Sequence, residues 1–267
     1  MRRIVQQHPT LATRSLSSLV LAVVALLLAT SAADAALTTG KCLGQKRTAW
    51  ITLRKCQGVE QVKLLNGKPT DLAKCEAKFR DALAKITAKA AKAMIPCRYR
   101  DNGDGTVTDY DTGLQWEQKN SPDAIAYFPN PHDFDNRYTW STGTGLADGQ
   151  IVTEFLSRLN GSAPALFGLD PCVSADGTAV TGGFAGHCDW RLPTIVELQT
   201  ILLAPYPCGT SPCIDPIFGP TAASFYWSAT TFADFPVSAW LVYFANGDVG
   251  YAGKNLTLYV RAVRTGL

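Results

Sequence analysis

Two rhythms divide the chain. Leu72, Cys75, Phe79, Leu83, Ile86, Ala90 and Met94 recur at steps of three and four, one face of a helix. Lys74, Lys78, Lys85, Lys89 and Lys92 take its other faces, and Pro96 stops the run. Upstream, Cys42, Ala49, Leu53 and Cys56 make a shorter stripe with the same rhythm, and Asn66-Gly67-Lys68-Pro69 is a turn signal between the two. The pattern predicts an antiparallel helical hairpin. After Pro96 the rhythm changes. "YRDNGDGTVTDYDTGLQW" (99–116) alternates Asx- and Gly-rich turns with β-prone runs and predicts a small meander. Ile151, Phe155 and Leu159 step by four ahead of Asn160-Gly161, which predicts another helix. "AWLVYFANGDVGYA" predicts two strands around Asn246-Gly247, and "LYVRAVR", alternating at Leu258, Val260 and Ala262, a closing strand. Long Pro/Gly-rich loops cover 119–137 and 161–187.

The first residues follow neither rhythm. Arg2, Arg3 and Arg14 precede an apolar run from Leu16 to Ala32, and Ala33-Asp34-Ala35 gives a small-residue cleavage signal. This is the composition of a secretory signal peptide. The run falls short of the ~20 residues needed to cross a bilayer, and no later segment is apolar enough to do so. The expected organisation is a signal peptide over 1–35, a basic module over 36–97 and a second module over 98–267. The mature chain is expected to be exported to the periplasm, the cell surface or the medium.

Charge sharpens the division. Residues 41–97 hold 13 Lys/Arg against 4 Asp/Glu, whereas residues 98–267 hold 9 against 17. A balance of +9 beside one of −8 argues for two modules. The basic hairpin has two readings, a solvated helix face or a contact for an envelope polyanion. Nothing in the chain points to a nucleic-acid partner.

All eight cysteines lie in the exported part, and an even count in a secreted chain predicts disulfides. Nested bridges Cys56–Cys75 and Cys42–Cys97 would staple a hairpin too small to hold itself together. The helical arms differ by about 12 Å at 1.5 Å per residue, so Cys97 must fold back after Pro96 or pair otherwise. Cys172–Cys188 and Cys208–Cys213 are the expected local pairs.

Candidate chemistry is sparse. "DNGDGTVTD" (101–109) fails the EF-hand template, because Gly103 and Gly105 stand where ligands are required. An irregular calcium site through Asp101, Asp104 and Asp109 is the remaining metal reading; no other cofactor is expected. There is no nucleophile elbow and no phosphate-binding loop. His187 adjoins Cys188, but a disulfide would remove the thiol. In "CDWRLPTIVEL" (188–198), Thr194 and Glu197 have the spacing of a capping box. Trp190 and Leu192 are expected in the core, and Pro205 ends the helix that Thr194 begins. Asp189 and Arg191 are left for an ion pair or a ligand.

"DNGDGTVTDYDTGLQW", "DWRLPTIVELQTIL", "YWSAT" and "YVRAVR" occur together and in order. Over about residues 98–265 the chain resembles domain of unknown function 1566, also called the Legionella collagen-like protein C-terminal domain family. It is distantly similar to the formylglycine-generating sulfatase-modifying family. The resemblance implies a C-type-lectin-like α+β fold: helices around a small, twisted antiparallel sheet. No Cys follows Cys213, so the oxidising chemistry of the second relative is not expected. The expected function is that of a non-catalytic binding or adhesion module that recognises a glycan or envelope component through its loops. Trp140, Arg191, Trp227, Asn246 and Asp248 are the candidate ligand residues, although each tryptophan has a core alternative. Two other readings stand beside it. One is an enzyme of unrecognised type, with Asp189, Arg191 and Asp248 converging in a pocket. The other is a structural envelope protein docking through the basic hairpin.

Overall fold

The structure is a computed structural model that describes residues 37–161, 172 and 182–267. The segment read from sequence as a signal peptide and most of the 161–187 loop lie outside the described residues.

Thr38 opens the first helix, its hydroxyl accepting the Lys41 N–H at 3.3 Å. Helix α1 runs Thr39–Leu65, past the end of the apolar stripe and through Gly58. Asp71 caps α2, Leu72–Lys92, by accepting the Lys74 N–H at 2.9 Å. Disulfides Cys42–Cys97 and Cys56–Cys75 join the helices near both ends, so they run antiparallel. The mismatch in arm length disappears because α2 stops before Pro96. Met94 takes φ 52°, Ile95 N–H bonds Ala90 C=O at 3.1 Å, and Met94 N–H bonds Ala91 C=O at 3.0 Å. This Schellman turn satisfies the last carbonyls and brings Cys97 back to Cys42.

The hairpin seats on the second module through its open end. Trp50 donates from Nε1 to Tyr110 C=O at 3.0 Å. Its ring lies against Gly113, where φ is 73° and an added Cβ would approach Trp50 to 2.6 Å. Both constraints exclude a side chain there. Lys46, buried, pairs with Asp111, and Arg54 donates to Leu267 C=O at 2.5 Å.

The rest is α+β, with three small antiparallel sheets among the described residues. The meander forms as expected: β1 (Tyr99–Asp101), β2 (Thr106–Asp109) and β3 (Leu114–Glu117), with β9 (Val263–Thr265) added beside β3. Strand β4 (Tyr138–Thr139) pairs β8 (Thr257–Leu258). Strands β5 (Phe225–Thr231), β6 (Ser238–Tyr243) and β7 (Asp248–Gly253) make the third sheet. The segment from Ile151 is a helix of two kinds: a π-turn, Ile151–Leu156, passes into α3, Ser157–Leu159. Ile151, Phe155 and Leu159 are all buried by it. Helix α4 is Ile195–Thr200.

"LYVRAVR" is not one strand. Leu258 ends β8, Tyr259 bridges Tyr226 in parallel, and Val263 begins β9. Between them Val260, Arg261 and Ala262 are all buried, so the alternation of a half-exposed strand is lost. Arg261 crosses the interior and donates to Glu117 C=O and Phe218 C=O, both at 2.8 Å.

The β5–β6–β7 sheet lies between two cores. Trp227 and Leu241 join Tyr138, Phe155 and Trp190 on one side. Their neighbours Tyr226 and Val242 join Trp116, Leu198 and Phe218 on the other. Period-2 alternation thus feeds both clusters, which is why both neighbours are apolar. Nothing in this arrangement conflicts with the lectin-like fold that the resemblance implies.

Candidate functional site

The 188–198 stretch is a junction whose polar groups are committed internally. Arg191 exchanges two backbone hydrogen bonds with Val263, at 3.0 and 2.9 Å, which moors the segment to β9. The Thr194 hydroxyl accepts the Glu197 N–H at 3.2 Å, and the Glu197 carboxylate accepts the Thr194 N–H at 2.8 Å, so the capping box is complete. Arg191 grips the same carboxylate with both guanidinium nitrogens, at 2.8 and 2.6 Å. Partial burial works against the Glu197 charge, but Arg191 and the Thr194 groups outweigh it and hold the carboxyl below its ordinary range. Asp189 pairs with Arg264 at 2.7 Å, and Cys188 is bonded to Cys172.

The five sequence-based ligand candidates do not form one site. Trp140 and Arg191 come together on a groove of about 460 Å³, with Ile151, Leu156, Leu192 and Thr194. Trp140 is nevertheless committed: its Nε1 donates to Ser228 C=O at 3.0 Å, and the Lys254 ammonium sits 4.0 Å from its ring centre. Trp227 is fully buried and donates to Tyr138 C=O at 3.2 Å, so it belongs to the core and offers no face to a ligand. Asn246 and Asp248 flank the β6–β7 turn, where the Asn246 side chain accepts the Asp248 N–H at 3.0 Å. Asp248 lines a separate hollow of about 410 Å³ with Tyr206, Leu202 and Gly247. Asp189, Arg191 and Asp248 therefore do not converge.

The acidic turn does not gather ligands either. Asp101 accepts the Gly103 N–H at 2.8 Å and Asp104 the Thr106 N–H at 3.0 Å. Asp109, buried, holds Arg98 by two hydrogen bonds, at 3.1 and 2.8 Å. Among the described residues no group of three His, Cys, Asp or Glu is placed to hold a metal ion. A buried carboxylate elsewhere is also paired. Glu117, in β3, takes Lys119 at 2.8 Å and the His132 ring at 3.0 Å, which ties the 119–137 loop to the sheet. Burial opposes its charge, yet the Lys119 ammonium and the hydrogen bond to His132 hold the carboxyl below its ordinary range.

The surface feature that the periodicity did not single out is a cluster of four aromatic rings. Phe232 and Phe235 lie in the β5–β6 connection, Trp240 on β6 and Tyr251 on β7. Phe232 stacks on Tyr251 with ring centres 4.1 Å apart and planes 19° apart. It meets Trp240 edge-on at 5.1 Å and Phe235 at 5.8 Å. Trp240 and Tyr251 are cross-strand partners in the β6–β7 ladder. Phe235 keeps 59% of its surface and Tyr251 52%, beside an exposed Val237. Lys254 braces the cluster: its N–H bonds Val237 C=O at 2.9 Å, and its ammonium reaches Gly145 C=O and Thr231 Oγ1 at 2.8 and 2.9 Å. Two exposed rings packed on two half-buried ones form a rigid apolar platform. The sequence carries no direct signal for it: a two-residue turn at Asn246-Gly247 would set Val242 opposite Tyr251, whereas the ladder pairs Tyr243 with Asp248 and so places Trp240 there. Phe232 and Phe235 sit in an irregular connection and carry no periodicity.

The family model described as the Lcl C-terminal domain matches residues 105–264, and the chain belongs to that family. No curated protein and no solved structure matches it. The matched span contains β2 and β3, the capped junction, the aromatic platform and both grooves; the helical hairpin, β1 and Asp101 and Asp104 lie outside it.

Proposed function

We propose that this protein is an exported, non-catalytic recognition module that binds glycans through the platform of Phe232, Phe235, Trp240 and Tyr251. The observation that carries the reading is the exposure of packed rings on a braced hairpin. Sugar rings present apolar faces that stack on aromatic faces, and rings already held by neighbours lose little ordering entropy on binding. Asp234, exposed between the two phenylalanines, supplies an acceptor for sugar hydroxyls. Membership of the Lcl C-terminal domain family supports a surface or adhesion-type module, and the four disulfides suit an oxidising compartment. The non-catalytic part rests on how charge is used: Glu117, Glu197 and Asp109 are committed to internal ion pairs.

The test is a glycan array with the mature chain, with and without calcium, followed by titration of any hit. Phe235→Ala with Tyr251→Ala is expected to weaken binding about tenfold, since each ring contributes ~0.5–1.5 kcal/mol. Both side chains are half exposed, so the fold should survive. Silence across neutral and acidic glycans, or unchanged affinity in the double variant, would sink the reading. Loss on Arg191→Ala instead would move the site to the Trp140 groove.

A further inference from the structure

The free end of the helical hairpin is apolar and basic at once. Val59, Val62, Leu64 and Leu65 close α1, Leu72 opens α2, and all five are exposed, Leu65 at 86%. Val59, Val62 and Leu65 follow at three-residue steps, so they are surface neighbours. Around them Lys55, Lys68, Lys74 and Lys78 are exposed, with no ion pair among the described residues. The carboxylates at this end are engaged. Glu60 takes Lys63 at 2.6 Å and the Asp71 N–H at 2.8 Å, Asp71 caps α2, and Glu76 faces Arg80 at 3.8 Å. Cys56–Cys75 clamps the helices just behind the tip. The contacts with the acidic module lie at the opposite end, at Lys46, Trp50 and Arg54.

We propose that this tip docks on an anionic lipid bilayer. Leu64, Leu65 and Leu72 would enter the boundary between headgroups and acyl chains, while the lysines meet lipid phosphates. The two features are needed together. Apolar side chains give area to bury, and each Lys near an anionic surface adds attraction that a Debye length limits. A soluble polyanion would use the lysines and leave the leucines without a partner. Geometry favours the bilayer as well. The acidic module, with 9 Lys/Arg against 17 Asp/Glu over 98–267, is repelled by such a surface. The tip leads Arg54 by eleven residues, ~16 Å of helix, about two Debye lengths at physiological salt. This surface is separate from the aromatic platform, and neither reading depends on the other.

The mature chain would be sedimented with phosphatidylglycerol–phosphatidylcholine vesicles and with pure phosphatidylcholine vesicles, over a range of salt. Binding to the anionic vesicles alone, weakened by salt, is expected. Leu64→Asp with Leu65→Asp should reduce it about tenfold, and so should Lys55→Glu with Lys68→Glu. All four residues are exposed, and circular dichroism of each variant would check that the hairpin stays helical. Polygalacturonate serves as the control polyanion. No vesicle binding, or vesicle binding indifferent to the leucine variant, overturns the proposal. So does equal affinity of wild type and leucine variant for polygalacturonate in the absence of vesicle binding.

Discussion

Met94 shows how one residue settles a geometry that spacing left open. By periodicity it belongs to the apolar face of α2, yet its side chain is 91% exposed and its φ is 52°. It is the left-handed residue of a Schellman turn, a position that favours glycine. The Cys42–Cys97 crosslink imposes the twist, because the chain must bring Cys97 back to Cys42 within three residues of Met94. A side chain in this region costs ~1 kcal/mol, and Met94 recovers nothing by packing. Met94→Gly is therefore expected to stabilise the protein by up to about 1 kcal/mol. The gain should appear as a higher urea midpoint at unchanged slope. A lower midpoint would mean that the turn is held by contacts of the Met94 side chain. Arg191 and Asp189 teach the same lesson from the ligand side. Each looked available in sequence, and each found an internal partner, Glu197 and Arg264.

At the scale of elements, the helices depend on their crosslinks more than their length implies. The two arms pack almost only on each other toward the tip, where the exposed residues outnumber the buried ones. Cys56–Cys75 closes a separation of 19 residues, which loop entropy values at about 3 kcal/mol. Cys56→Ala with Cys75→Ala should fray the tip by that order. The readout is faster amide exchange over 57–74, with β5–β7 protection unchanged. Equal exchange in both forms would show that packing alone holds the tip. Elements with one regular face were legible: both arms of the hairpin, the meander, the strands around Asn246-Gly247, and the capping box at Thr194. The cysteine pairs were legible too; what was misread depends on other tertiary partners. Leu258 to Arg264 alternates like a strand, but Arg261 is drawn inward by the carbonyls of Glu117 and Phe218, and the run is divided among sheets. The site was less legible than the fold. Tryptophans near turns looked like ligand surface, yet burial took Trp227, while the exposed rings lie in a connection without rhythm.

For the whole molecule the decisive join is between a basic helical pair and an acidic body, and beside the Trp50 and Arg54 contacts it is made by one short chain of charges. Lys46 on α1 pairs with Asp111 in the β2–β3 turn. Asp111 lies 3.8 Å from Arg98, which holds Asp109 at 2.8 Å and donates to Thr200 C=O at the end of α4. One line thus links the hairpin, the meander and the capped helix. Lys46 has 1% of its side chain exposed, so its charge cannot be hydrated if the partner is lost. Breaking a fully buried pair costs ~3–5 kcal/mol. Asp111 is 36% exposed and water can replace part of it, so Asp111→Asn should cost less, about 2 kcal/mol. The loss should be directional: α1 exchanges faster while β5–β7 keeps its protection, and heating separates one transition into two. Lys46→Met combined with Asp111→Asn removes the stranded ammonium and should recover most of the stability. If the single and double variants melt alike, Lys46 is solvated in the single variant, and the hairpin is held by Trp50 and Cys42–Cys97 instead.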